Sequence, residues 1–138
     1  KLMYLGMQDQ WYTFNMFDAQ AWYARDVILE KIELPLFDDM QAHTLEWHQR
    51  ETAQEDVAYA IDFQGAYTQM LIDETDYPNF DIKGVNKTFM DWKHDKKDGI
   101  MTFRDKSHAS LMTGTQSPPH HTPWLKALDD SLETYLDI

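Results

Sequence analysis

The six histidines of this chain are the residues whose spacing most directly tests for metal chemistry. His43 and His48 are five residues apart, His120 and His121 are adjacent, and no H-E-x-x-H or E-x-x-H string occurs. Neighbouring side chains of an extended segment point in opposite directions, so one metal ion rarely binds both. The histidine spacing therefore predicts no metal site.

Other residue combinations that can carry acid–base, nucleophilic or nucleotide chemistry are also weakly supported. The pairs Asp38–Asp39 and Asp129–Asp130 occur where helix caps and solvated helix faces normally place carboxylates. Serines lie near histidines, but the absence of a G-x-S-x-G string disfavours a hydrolase. Neither G-x-G-x-x-G nor G-x-x-x-x-G-K-[ST] occurs, so nothing here binds a nucleotide unaided.

A short apolar run opens the chain and leads into its most informative stretch, YLGMQDQWYTFNMFDAQAWYA. Leu2–Leu5 is typical of a buried strand, and Gly6 ends it where a positive φ or a close backbone approach is most easily accepted. A single strand cannot satisfy its own backbone N–H and C=O groups. We therefore expect the strands that pair with it to lie outside this sequence.

A helix is predicted to follow, from about Gln10 to Lys31. Asp9 suits its N-cap or first turn, because a carboxylate accepts from the first N–H groups and matches the positive end of the helix dipole. Gln10 and Thr13 then lie in the first turn, where a negatively charged or electron-accepting ligand group can bind. Local features alone favour an ordinary strand-to-helix connection without a ligand.

The rest of the chain reads as mainly helical. A second helix is expected after Pro35, capped by Asp38 and Asp39, and a break near residues 52–54 precedes a third at about 55–73. Further predicted elements are a loop at 73–83, a short helix at about 84–96, a strand at 100–104, an extended segment at 117–121, and a final helix with Thr122 as its cap.

Two side chains outside the first helix are of interest. Trp92, in FMDWK, is large and flanked by polar groups, and such a residue more often belongs to a core or an interface than to a cofactor site. Arg104 follows the predicted strand and can donate a fork of hydrogen bonds to a phosphate or carboxylate. By default it is a solvated surface arginine.

Composition excludes several classes of function. With 138 residues and 43% hydrophobic content the chain can fold around a core, and its net charge of −12 disfavours nucleic acid and anionic membranes as partners. It has no cysteine, which rules out disulfides and thiolate chemistry and fits a reducing compartment. No apolar run approaches the roughly 18 residues that span a bilayer.

Two long strings carry a resemblance to a known family. YLGMQDQWYTFNMFDAQAWYARDVIL and IMTFRDKSHASLMTGTQSPPHHTPWLKALDDSLETYL resemble the C-terminal part of bacterial flavin-containing monooxygenases, especially the trimethylamine monooxygenase group. The resemblance implies an α/β fold, as the C-terminal part of a two-domain FAD- and NADP-binding Rossmann-like enzyme, with this fragment mainly helical and containing a few short strands. Residues 1–34 would end the FAD-binding domain, and residues 35–138 would pack on the FAD and NADP domains.

The resemblance also implies a reaction. Family members use NADPH to reduce FAD, capture O2 as a C4a-hydroperoxyflavin, and N-oxygenate small tertiary amines such as trimethylamine. The glycine-rich fingerprints lie upstream of the matched region, so this fragment alone is expected to be inactive. The implied partners are the N-terminal portion of the same enzyme, an amine or sulfide substrate and O2, in a cytoplasmic homodimer.

Residue roles follow from the resemblance alone. Gln10 and Thr13 are implied to contact the flavin, Arg104 the NADP phosphates, and Trp92 the wall of the active-site cavity beside the nicotinamide. Asp9 is implied to position a neighbouring amide or water. The alternative, from a different class, is a non-catalytic helical packing or dimerisation module.

Overall fold

The computed structural model describes residues 2–6, 10–103 and 106–116. Within them four helices follow one another: α1 (Thr13–Ile28), α2 (Phe37–Thr52), α3 (Val57–Asp73) and α4 (Ile82–Asp98). The prediction of a mainly helical fragment is therefore confirmed. The chain divides into two compact units, Lys1–Asn86 and Lys87–Ile138, and the division falls within α4.

The predicted short strands are wrong over the residues that the structure describes. Residues 2–5 have no regular secondary structure, and residues 100–103 form a turn in which the N–H groups of Thr102 and Phe103 both donate to the carbonyl of Gly99. In this part of the chain the β pairing consists of one isolated antiparallel bridge, Ala109 with Gln116. A strand requires a partner for its ladder of hydrogen bonds, and apolar alternation does not reveal whether one exists.

The first helix is shorter than predicted at both ends. Its N-cap is Tyr12, whose side chain makes no capping hydrogen bond, so the expected N-cap role of Asp9 is wrong and Gln10 precedes the helix. Asp9 itself lies outside the described residues. At the other end Glu30 adopts a positive φ of 57°, a conformation that cannot continue a helix, and α1 stops at Ile28 instead of Lys31.

The other helices agree with the sequence in number but differ at their boundaries. Leu36 is the N-cap of α2, so Asp38 and Asp39 lie in its first turn instead of capping it. The predicted break after Thr52 is confirmed, and α3 begins after Asp56, whose carboxylate accepts from the N–H of Tyr59 at 2.8 Å. Helix α4 is longer than predicted and continues through the segment expected to turn. The predicted extended segment 117–121 and the final helix lie outside the described residues.

The core of the first unit lies where α1 packs against α3. Met16, Ala19 and Ile61 have no exposed surface. The opposite side of α3 contacts α2, where the indole of Trp47 packs edge-on against the rings of Phe63 and Tyr67 at centroid distances of 5.3 and 5.6 Å. Helix α3 is thus covered from two directions, whereas α2 has no buried residue.

Gly6 has the positive φ that the sequence predicted. Its φ is 78°, and a Cβ atom added there would lie 3.0 Å from the ring of Phe17. We expect Gly6→Ala to cost about 1–3 kcal/mol in stability, because an L side chain is strained at this φ and the ring must also move. Thermal unfolding of the intact protein measures the loss. Gly114→Ala is the matched control, since Gly114 has a φ of 70° with nothing within 4 Å of the added atom; an equal loss there would show that the Phe17 contact is irrelevant.

The buried carboxylate of Asp26 pairs with two partly exposed cations at the end of α1. The side chain of Asp26 is only 6% exposed and accepts two hydrogen bonds from Arg25, at 2.7 and 2.8 Å, while the ammonium of Lys31 lies 3.3 Å away. The hydrogen bonds from Arg25 hold the pKa of Asp26 below its usual value, against the opposing effect of burial. A carboxyl whose pKa is lowered by folding stabilises the protein above its unfolded pKa and loses that contribution as the pH falls through its folded pKa.

This ion pair predicts a pH-dependent effect of one substitution. Asp26→Asn should lower the thermal unfolding midpoint at pH 7, because Arg25 and Lys31 lose a buried partner. The difference from the unsubstituted protein should shrink as the pH is lowered through the acidic range where the carboxylate takes up a proton. Asp18→Asn, at an exposed position of the same helix, is the control. A destabilisation by Asp26→Asn that is constant from pH 7 to pH 3 would contradict the assignment.

Candidate functional site

Gln10 and Thr13 keep solvent-exposed surface at the start of α1. Gln10 is exposed, and its side-chain amide donates to the carbonyl of Gly6 at 3.3 Å. Thr13 is the first helical residue and is half-buried, and the side chain of Phe14 is 79% exposed. The first turn of α1 itself contains no acidic side chain. A negatively charged ligand group is stabilised near the positive end of a helix dipole.

The backbone N–H of Trp11 and the side chain of Tyr12, between Gln10 and Thr13, face the protein interior. The backbone N–H of Trp11 donates to the side-chain oxygen of Gln64 on α3 at 2.6 Å, and Gln64 is only 6% exposed. Tyr12 is 3% exposed, and its ring lies 6.5 Å from that of Phe80. Contacts of Trp11 and Tyr12 with the protein interior therefore hold residues 10–13 in place, while Gln10 and Thr13 keep exposed surface.

The hydroxyl of Tyr12 reaches the start of α4. It lies 3.1 Å from the carbonyl of Ile82 and also contacts the side-chain oxygen of Asn86, whose amide donates to Asp62 at 2.6 Å. Burial raises the pKa of Tyr12 well above its usual value, and the nearby charges of Asp62 and Asp81 raise it further. Tyr12 therefore stays a neutral hydrogen-bond donor across the physiological range and serves as an anchor.

A second buried glutamine holds the chain just before this segment. The side-chain oxygen of Gln20 on α1 accepts from the backbone N–H of Gly6 at 2.9 Å. Its amide lies 3.0 Å from the hydroxyl oxygen of Tyr67 on α3 and donates to it. Gly6 and Trp11 are thus each bound by a buried side-chain amide from a different helix.

Sequence reasoning missed these anchoring residues. At helical spacing Gln64 shares a side of α3 with the apolar residues Ile61 and Leu71, and a polar side chain on a buried face requires a hydrogen-bond partner. That was the available signal for Gln64. Its partner, the N–H of Trp11, is 53 residues away, and no local pattern identifies a contact of that range.

The remaining predicted site residues lie in the second unit or outside the described residues. Trp92 belongs to the second unit, is half-buried, and packs edge-on against Phe103 at 5.4 Å with the ammonium of Lys96 5.2 Å from its ring centroid. These contacts are typical of a core residue, which is the default interpretation of its sequence context. Asp9 and Arg104 lie outside the described residues.

The described residues contain neither a metal-binding cluster nor a membrane-spanning helix. No three histidine, aspartate or glutamate side chains in this part of the chain are grouped so that they can hold a metal ion. No helix over the same residues combines the length and apolarity needed to cross a membrane.

Comparison with known proteins gives a consistent set of relatives. No protein-family model matches the chain. Trimethylamine monooxygenase from Roseovarius sp. (strain 217) is 58% identical over 135 residues, which are 98% of this chain and 30% of the relative. The same enzyme from Methylocella silvestris is 53% identical over 98% of this chain and 30% of its own length. This chain is homologous to the trimethylamine monooxygenases. The resemblance seen in the two strings is confirmed.

A solved structure supports the same relationship. The crystal structure of Tmm from Pelagibacter sp. strain HTCC7211 superimposes with a TM-score of 0.85 at 49% identity, covering 95% of this chain and 30% of that one. The helical arrangement described above is therefore shared with that structure. The chain spans about 30% of the length of the trimethylamine monooxygenases that it matches.

Proposed function

We propose that this chain is the C-terminal portion of an FAD- and NADPH-dependent monooxygenase that N-oxygenates small tertiary amines such as trimethylamine. Its homology to trimethylamine monooxygenases supports the enzyme class. The observation that carries the proposal for the site is the exposure of two polar side chains at the start of α1. There Gln10 and Thr13 keep exposed surface at the positive end of a helix whose N-cap residue, Tyr12, makes no side-chain capping hydrogen bond.

The residues at this helix start fit an isoalloxazine ring supplied by another part of the polypeptide. Gln10 carries an amide and Thr13 a hydroxyl, and both can donate hydrogen bonds to the ring's polar edge. Together with the helix dipole, these donors would stabilise the negative charge that reduction places around N1 and O2. FAD bound here would supply the redox chemistry, in which NADPH provides the electrons and O2 the oxygen atom transferred to the amine.

The remaining site residues are assigned through the family resemblance. Arg104 binds the NADP phosphates, for which a planar guanidinium is well suited. Trp92 lines the active-site cavity beside the nicotinamide, and Asp9 positions a neighbouring amide or water. No residue in this chain is assigned as a catalytic group.

The exposed apolar surface of the first unit supports a large partner, which we assign to the N-terminal portion of the same enzyme. Leu2, Phe14 and Leu36 are 78%, 79% and 77% exposed. Large apolar side chains that are exposed together mark surfaces that another polypeptide covers. In this arrangement residues 1–34 complete the FAD-binding domain, and residues 35–138 pack on the FAD and NADP domains. The enzyme would be a cytoplasmic homodimer.

The proposed reaction is tested with the intact protein that contains this chain. Purified material should be yellow, should oxidise NADPH faster when trimethylamine is added, and should form trimethylamine N-oxide. Colourless intact protein, or NADPH oxidation that does not respond to any tertiary amine or sulfide, would contradict the proposal. Residues 1–138 expressed alone are the control and should be colourless and inactive.

The second candidate is a non-catalytic helical packing or dimerisation module. The absence of any buried residue in α2, which leaves Phe37 67% exposed, is the observation that favours it. The two candidates differ in the same experiment, because a module binds its partner without flavin colour or amine-dependent NADPH oxidation.

A further inference from the structure

We infer that Gln20 and Gln64 are positioning residues, which hold the backbone N–H groups of Gly6 and Trp11 in the geometry that the flavin contacts of Gln10 and Thr13 require. The inference rests on the proposed function, and it adds two residues that the resemblance did not indicate. Gln20 binds the N–H of Gly6, and Gln64 binds the N–H of Trp11.

The positions of these two hydrogen bonds make the case. The N–H of Trp11 lies in the chain between Gln10 and Thr13, so its bond to Gln64 fixes the backbone between the two residues proposed to contact the ring. Gln10 is further tied to Gly6 through its own side chain, and Gly6 is held by Gln20. Movement of either glutamine would therefore shift the amide of Gln10.

The burial of the two glutamines shows that they are more than surface contacts. Each is 6% exposed, and a buried amide lowers stability unless it is hydrogen-bonded. An aliphatic side chain of similar size would fill the same space on α1 or α3 without this requirement. What the glutamine adds is a fixed acceptor directed at one backbone N–H, and a hydrogen bond between distant parts of the chain restrains its backbone partner in position and orientation.

The test compares Gln64→Leu, which removes the acceptor, with Gln64→Glu, which keeps an oxygen in its place, in the intact flavin-containing protein. Gln64→Leu should lower the rate constant of flavin reduction by NADPH, per bound flavin, by about 10-fold or more and shift the flavin absorption bands. Gln64→Glu should recover at least half of that loss. Gln69→Leu is the matched control, because the amide of Gln69 lies on the same helix and donates to exposed Asp73. It should change neither the reduction rate constant nor the absorption bands.

Hydrogen exchange over residues 10–13 provides a readout that does not depend on flavin. Exchange in this segment should rise in Gln64→Leu and stay near the unsubstituted level in Gln64→Glu. If Gln64→Leu fails to fold, Gln20→Leu and Gln64→Asn replace it in the same measurements. The acceptor of Gln64→Asn lies about 1.5 Å further from the N–H of Trp11. Both variants should raise the exchange rate and lower the rate constant of flavin reduction.

The outcomes separate the inference from the proposed function. A normal reduction rate and spectrum per bound flavin in Gln64→Leu, with only a lower unfolding temperature, would overturn the positioning role. A failure of Gln64→Glu to rescue would do the same. Intact protein that is colourless before any substitution would instead defeat the proposed function, and hydrogen exchange would still decide whether Gln64 holds the segment.

Discussion

The double substitution Gln10→Ala and Thr13→Val should raise the dissociation constant for FAD in the intact protein by about 5- to 140-fold. Each side chain is proposed to donate one hydrogen bond to the ring, and a hydrogen bond contributes about 0.5–1.5 kcal/mol, with a tenfold change for each 1.4 kcal/mol. Flavin that remains bound should also be reduced more slowly by NADPH, since the developing negative charge loses two donors. Flavin fluorescence titration and stopped-flow reduction measure the two effects.

Helix α2 offers a matched control for this experiment. Gln49 and Thr52 have the same residue types at the same spacing, and both are exposed. The hydroxyl of Thr52 donates to backbone carbonyls of its own helix, at 2.9 and 3.0 Å. Gln49→Ala with Thr52→Val should leave flavin affinity and reduction unchanged. Equal losses in the two double variants would mean that the effect comes from general destabilisation and not from flavin contacts.

Arg104→Ala should raise the Michaelis constant for NADPH by about 10- to 100-fold while changing that for the amine by less than about threefold. A hydrogen bond to a charged group contributes about 1.5–3 kcal/mol, and the forked pair from a guanidinium to a phosphate is lost on truncation. Arg104→Lys should recover only part of the affinity, because an ammonium is a point charge without the fork. Steady-state kinetics with each substrate varied in turn give both constants.

The control for Arg104 lies two residues along the chain. Lys106 is a surface cation that pairs with Asp95, and Lys106→Ala changes the net charge by the same amount. Its kinetic constants should stay close to those of the unsubstituted enzyme. If Arg104→Ala raises the constants for NADPH and for the amine equally, or if Lys106→Ala has the same effect, the assignment of Arg104 to the NADP phosphates is wrong.

Local chemistry made part of the fold predictable. The apolar periodicity located all four described helices, and Gly6 has the positive φ that its position after an apolar run indicated. Helix boundaries were less accurate because backbone conformation and distant contacts decide them. Glu30 adopts a left-handed conformation just after α1, although glutamate does not favour that conformation. Tyr12 is the N-cap of α1, and its hydroxyl contacts the carbonyl of Ile82 in α4.

Long-range pairing explains the errors at the predicted strands. Leu2–Leu5 and Ile100–Phe103 have strand-like composition, yet neither belongs to a sheet within the described residues. Composition reports how a segment suits a half-buried surface, whereas a sheet also requires a second strand at hydrogen-bonding distance. Leu2 and Tyr4 are 78% and 69% exposed, and the proposed function predicts that a strand from the N-terminal portion covers them.

The sequence predicted only those site residues whose side-chain chemistry and place at a helix start both suit a ligand. Gln10 and Thr13 stand at the start of a helix, where negatively charged ligand groups are favoured. The supporting residues Gln20 and Gln64 act on backbone groups up to 53 residues away, so only the folded structure reveals them. The assignments of Trp92 and Arg104 remain predictions from the family resemblance.

A crystal structure of the intact, oxidised protein with its flavin bound tests the central claim most directly. The account predicts that the side-chain amide of Gln10 and the hydroxyl of Thr13 both lie within about 3.2 Å of polar atoms of the isoalloxazine ring, with the N–H of Trp11 still bonded to Gln64. An isoalloxazine ring bound elsewhere, with the start of α1 covered by apolar side chains, would contradict it.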